Sequence, residues 1–132
     1  MRTIERLLIV ENEPKDLLQA AETARAAGIS AVEAKTSYES ARTLLERGLR
    51  GELSLPDAIV LDLDLGHDSG HELLRFWYSS PGLTSIPMVV WSRLGEGQKE
   101  VCEAFRIRAF VSKCEGIAAL RRVLEDIRKS SS

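Results

Sequence analysis

The chain has 132 residues, with 18 Lys and Arg against 20 Asp and Glu and a formal net charge of −2. That near balance excludes the basic excess of a nucleic-acid-binding surface, and 44% hydrophobic with 29% charged residues is a globular composition rather than a disordered one. The apolar runs are too short for a transmembrane helix, Met1 to Arg6 lacks the apolar core of a signal peptide, and Cys102 and Cys114 make neither a disulfide framework nor a zinc pattern, so a soluble cytoplasmic domain is expected.

Five β-like runs alternate with helical patterns. Arg6 to Val10 is nearly all apolar, as a strand buried on both faces should be. Pro14 suits the first turn of a helix; Leu17, Leu18, Ala21 and Ala24 give it an apolar face, and Gly28 stops it. Ser30 to Ala34 is a weak second strand. Thr36 and Glu39 have capping-box spacing for a helix carrying Ala41, Leu44 and Leu45 and ending at Gly48. The third strand, Ala58 to Leu61, runs into Asp62-Leu63-Asp64-Leu65, and Gly66 to Gly70 reads as a loop. Glu72 to Tyr78 is a helix, Ile86 to Trp91 a strand with Pro87 near its start, and Gly95 to Arg106 a helix weakened by two early glycines. Ala109 to Val111 is a short fifth strand. Ile117, Leu120, Val123, Leu124 and Ile127 stripe the last helix, before a polar tail.

Such alternation implies right-handed crossovers and a parallel sheet. Five strands with helices on both faces make a flavodoxin-like, doubly wound α/β fold of strand order 2-1-3-4-5, whose ligands gather at the carboxyl ends of the strands beside the switch point. The residues just past each strand are Glu11 and Asn12, Asp62 and Asp64, Ser92, and Lys113. Carboxylates clustered without a cation raise one another's pKa. A bound Mg²⁺, which prefers oxygen ligands, would relieve them. Together with Lys113 and the Ser92 hydroxyl it would neutralise a phosphoryl group on an Asp, the electrostatic logic of phosphoryl transfer.

In these residues the chain resembles the receiver domain of two-component response regulators. The matching pieces are LLIVENEP at 7–14, PDAIVLDLDL at 56–65, SGHELL at 69–74, IPMVVWS at 86–92 and FVSK at 110–113, in that order, within about Ile4 to Ile127. The resemblance implies that Asp62 is the phosphoacceptor. Glu11 and Asn12 stand at the family's acidic-pair positions, and Asp64 would offer its backbone carbonyl to Mg²⁺. Ser92 matches the switch hydroxyl, Lys113 the lysine that pairs with the phosphoryl group, and Phe110 the aromatic switch. Phosphate would come from a sensor histidine kinase or a histidine phosphotransfer protein, with the chain catalysing only its own phosphorylation and dephosphorylation. The face of the fourth helix, fifth strand and fifth helix would carry the signal to a downstream protein or output domain, or form a homodimer. On this reading residues 1–132 are a single receiver domain, with a core at 4–127 and a tail at 128–132, and any output lies on a partner or beyond residue 132.

Three positions depart from the family pattern. Asn12 replaces an acid, which predicts weaker Mg²⁺ binding, and the Asp64 side chain is expected to border the site in its place. Arg93, where a small residue is usual, is expected to pair with Asp64, to lie over the phosphoryl group and restrict access, or to point to solvent. Cys114 replaces a proline, which predicts a trans bond after Lys113, a reshaped loop and a less well placed lysine. Elsewhere, Glu13, Asp68, His67 and His71 read as solvated loop residues, Trp77 and Trp91 as packing residues, and Arg106, Arg108, Arg121 and Arg122 as a solvated basic patch. Two rival readings stand beside the receiver: a pseudo-receiver acting by contact alone, and a haloacid-dehalogenase-like phosphatase using Asp62 and Asp64. The phosphatase lacks a later acidic pair, apart from Glu115 and the helical Glu125-Asp126.

Overall fold

The computed structural model describes residues 4–66, 68–93 and 96–129. Strands β1 (Arg6–Val10), β2 (Ala31–Lys35), β3 (Ala58–Leu61), β4 (Met88–Ser92) and β5 (Ala109–Ser112) form a parallel sheet in the order β2-β1-β3-β4-β5, as expected. They alternate with helices α1 (Pro14–Ala26), α2 (Tyr38–Leu49), α3 (Gly70–Ser79), α4 (Glu96–Glu103) and α5 (Ile117–Lys129). This is the flavodoxin-like, doubly wound arrangement. No described helix is long and apolar enough to cross a membrane.

Side chains along a strand point alternately to opposite faces, so the three inner strands supply two cores. Leu8, Val10, Ile59, Leu61, Met88 and Val90 face Leu44, Leu45, Leu73, Leu74, Trp77 and Cys102 of α2, α3 and α4. Leu7, Ile9, Val60, Val89 and Trp91 face Ala20, Ala24, Leu120, Leu124 and Ile127 of α1 and α5. The inner strands β1, β3 and β4 are buried almost throughout, whereas the edge strand β2 is largely exposed. The weak apolar signal of the second run therefore reflects its edge position.

Several boundaries differ from the sequence expectation. The N-cap of α2 is Ser37, whose Oγ accepts from Ser40 N–H at 3.1 Å, so a serine hydroxyl takes the role assigned to Thr36 and Glu39. The helix runs past Gly48 to Leu49. Pro87 precedes β4, its carbonyl accepting from Ile59 N–H, and the strand extends through Ser92. Within the expected loop after β3, residues 64–65 and 68–69 pair as a two-residue antiparallel ladder, and α3 begins at Gly70. Gly70 packs so tightly that an added Cβ would lie 2.5 Å from the Asp62 carbonyl oxygen and 2.6 Å from Leu63 Cα. Helix α4 is shorter than expected and ends before Arg106, which takes a left-handed φ of 60°. Gly28 ends α1 with φ 96°, which glycine adopts without strain. His67, Gly95, the tail from Ser130 and the Asp68 side chain lie outside the described residues.

Candidate functional site

The parallel ladder delivers two acids side by side. Glu11 N–H donates to the Lys35 carbonyl and Asp62 N–H to the Val10 carbonyl, so both residues leave the sheet at its carboxyl end, at the switch point between β1 and β3. Both are buried. Glu11 Oε2 accepts from Glu13 N–H and Asp62 Oδ1 from Asp64 N–H at 3.0 Å, which fixes each carboxylate from its own loop. Ser92 closes β4, fully buried and in register with Ser112 of β5, one residue before Lys113.

Lys113 Nζ donates to Glu11 Oε1 at 2.7 Å, to Asp62 Oδ2 at 2.9 Å and to Asp16 Oδ2 at 2.7 Å. An ammonium has three N–H bonds, and here each points at a carboxylate. The Trp91 ring lies beneath the same nitrogen, 4.7 Å from its centroid, within cation–π range. Burial disfavours the Lys113 charge, but hydrogen bonds to Asp16, Glu11 and Asp62 outweigh it and hold the pKa above the ordinary value. Burial pushes the Glu11 carboxyl up to about 7; the Lys113 hydrogen bond opposes that rise and the Asp62 charge adds to it.

Residues singled out in the sequence thus divide. Glu11, Asp62 and Lys113 meet directly, and Ser92 ends the adjoining strand. Asn12 is exposed on the rim, its Nδ2 2.9 Å from where a Cβ on Gly66 would stand. The Asp64 side chain is exposed and its Oδ1 accepts from Gly66 N–H, a local turn. Arg93 pairs with Asp16 Oδ2 at 3.4 Å rather than with Asp64, while 66% of its side chain stays exposed. The bond after Lys113 is trans, and a 3₁₀ turn over Lys113–Glu115 begins there. The expected loosening of the lysine does not follow, because three carboxylates clamp it. Phe110 is half-buried against the core on the α2, α3 and α4 face, in register with Val90.

Asp16 and Trp91 were the residues missed. A signal for Asp16 existed: Pro14 starts α1 two residues earlier, and first-turn side chains lean back toward the helix N-terminus, over the end of β1. Trp91 is a packing residue as expected, but its ring also floors the lysine, and its buried Nε1 has no hydrogen-bond partner among the described residues. Other expectations shift too. Glu13 caps α1, its Oε1 accepting from Lys15 N–H, and His71 bonds Gln98 Oε1 from within α3 rather than lying in a loop. Arg121 pairs with Glu125 and reaches the Ala26 carbonyl across α1; Arg106, Arg108 and Arg122 are exposed, as read.

Glu11, Asp62 and the Asn12 amide form an all-oxygen donor set, which suits a hard divalent cation that keeps several waters. Among the described residues no three acidic, histidine or cysteine side chains assemble as a metal cage, and Asp16, the third carboxylate, is shared between Lys113 and Arg93. A cation here would rest on two carboxylates and neutral oxygens.

No protein-family model and no curated protein matches the chain, but solved structures do. The phosphorylated cyanobacterial phytochrome response regulator RcpA superposes with a TM-score of 0.80, at 22% identity over 97% of this chain and 96% of that one. The Mn²⁺-bound response regulator Rcp1 gives 0.78, at 21% identity over 96% and 93%. The bacteriophytochrome response regulator RtBRR gives 0.71, at 28% identity over 83% and 69%. With a sheet reversing between β1 and β3 and its buried polar residues at that point, the chain has the fold of a response-regulator receiver domain.

Proposed function

We propose that the chain is a phosphoacceptor switch. The observation that carries this reading is the bond from the Lys113 ammonium to Asp62 Oδ2, at the switch point of the sheet and beside the buried end of β4. An Asp62 carboxylate oxygen would attack the phosphorus of a phosphohistidine on a sensor kinase or phosphotransfer protein. The new O–P bond forms as the N–P bond breaks, and the imidazole leaves and takes up a proton. Lys113 and the Ser92 hydroxyl would donate to the phosphoryl oxygens. A bound Mg²⁺, resting on Glu11, Asp62, Asn12 and the carbonyl of Asp64, would supply charge neutralisation. The phosphorylated state of RcpA and the Mn²⁺ of Rcp1 support both parts by analogy. With Asn12 neutral, Mg²⁺ is needed at millimolar levels.

Phosphorylation draws Ser92 toward the phosphoryl group and lets Phe110 turn inward. This reshapes α4, β5 and α5 for a downstream protein or a second copy, a local charge change that biases a two-state element. Beryllofluoride with Mg²⁺ mimics the acyl phosphate. Amide shifts spreading from residues near Asp62 to Phe110 in the wild type, and absent in Asp62→Ala, are expected; shifts confined to the rim in both would end the reading. Arg93→Ala opens the mouth of the site and is expected to speed loading by acetyl phosphate.

Two observations favour the contact-only alternative: Lys113 is saturated by carboxylates and Arg93 lies at the rim. It predicts that acetyl phosphate and Mg²⁺ leave the intact mass unchanged. The phosphatase alternative gains nothing, since the Asp64 side chain is turned to Gly66 and Glu125 is paired with Arg121.

A further inference from the structure

Asp16 stands in the first turn of α1, where an acid commonly faces the helix dipole and needs no further role. Its surroundings say more. The side chain is only 11% exposed, and one oxygen, Oδ2, accepts from Lys113 Nζ at 2.7 Å while Arg93 approaches the same atom at 3.4 Å. Glu11 takes the second N–H of the ammonium at 2.7 Å, leaving the third for Asp62 at 2.9 Å. The Trp91 ring blocks a further side at 4.7 Å.

We propose that Asp16 is a positioning residue for the phosphoryl transfer described above: with Glu11 it holds two N–H bonds of Lys113 over the Trp91 ring and so aims the third at Asp62. The role rests on Asp62 being the acceptor. A lysine carries several rotatable bonds and is a compact charge that points wherever its partners hold it. Preorganised donors at the site of developing charge accelerate a reaction because they need no rearrangement when it occurs. Removing the Asp16 charge frees the ammonium to swing between Glu11 and Asp62, and the donor would no longer be fixed when phosphoryl charge arrives. Asp16 also holds Arg93, so the loading comparison is made in the Arg93→Ala background, where the loss falls on turnover and not on donor affinity.

Two measurements on the whole chain test this. In the unphosphorylated wild type, a held Lys113 gives two separate ε-proton signals in a ¹H–¹³C correlation spectrum, and Asp16→Asn, isosteric and neutral, merges them. With acetyl phosphate and Mg²⁺, followed by intact mass across donor concentrations in the Arg93→Ala background, Asp16→Asn lowers the saturating loading rate about tenfold, a barrier change of about 1.4 kcal/mol. The half-saturating concentration stays within about twofold of that of Arg93→Ala alone, and Asp16→Glu, which keeps the charge, recovers part of the rate. A single averaged ε signal in the wild type overturns the proposal even if no variant folds. Equal loading rates in the Arg93→Ala background with and without Asp16→Asn overturn it while leaving Asp62 as acceptor. No loading of the wild type overturns the acceptor reading itself, and the positioning role with it.

Discussion

At the scale of single residues, the site is an ion cluster whose balance rests on one lysine. Lys113 is buried against Glu11, Asp16 and Asp62, and removing one partner of a buried charge cluster costs about 3–5 kcal/mol because the remainder stays uncompensated. Lys113→Met is therefore expected to lower unfolding free energy by that order at pH 8 and by less at pH 5, where Glu11, with its carboxyl pushed up to about 7, carries a proton; urea titrations at the two pH values measure it. Glu11 makes a separate contribution of known sign. Its folded pKa of about 7 lies above the ordinary value of 4.5, so between those values the unfolded chain releases a proton that the folded chain keeps. Its contribution is full below about 4.5 and is lost as pH rises through about 7. In EDTA, Glu11→Gln should raise the melting temperature relative to wild type more at pH 7.5 than at pH 4.5. An equal offset at both pH values would contradict the assignment.

At the scale of elements, close approach fixes where α3 starts. A methyl group at position 70 would meet the Asp62 carbonyl oxygen at 2.5 Å and Leu63 Cα at 2.6 Å, both backbone atoms that cannot swing aside. Gly70→Ala is thus expected to destabilise the fold by about 1–3 kcal/mol and to disturb Asp62 more than remote sites, read as amide shifts around residues 61–64. The same contact explains why α3 starts at Gly70, before the Glu72 that the apolar pattern predicts. Periodicity begins with the apolar Leu73 and Leu74, whereas the helix starts where glycine permits the approach. The inner strands β1, β3 and β4 are legible because burial on both faces leaves continuous apolar runs, the helices because their apolar residues recur at helical spacing, and Asp62 stands out because it directly follows the end of β3. What stayed hidden depends on side-chain reach. Arg93 chose the buried Asp16 over the solvated Asp64, and neighbours 77 and 29 residues away in sequence cannot be ranked from spacing.

At the scale of the whole molecule, the two cores share one sheet. Residues of β1, β3 and β4 alternate between them, so Leu8 and Leu7, adjacent in sequence, belong to opposite layers. Neither layer can lose its helices without exposing the strands that hold the other, which predicts one cooperative unfolding transition, as small domains usually show. The two tryptophans are natural reporters: Trp77 lies in the core beneath α2, α3 and α4, and Trp91 in the core beneath α1 and α5. Single-tryptophan variants, Trp77→Phe and Trp91→Phe, each read one layer by fluorescence. Leu74→Ala, in the Trp77 layer, removes a fully buried side chain and should lower global stability by about 2–5 kcal/mol. Because unfolding is shared, it should shift the urea midpoint reported by Trp91 as far as the one reported by Trp77. A shift confined to Trp77 would mean that the layers unfold separately, and a signal at Asp62 could then not reach both faces through the sheet.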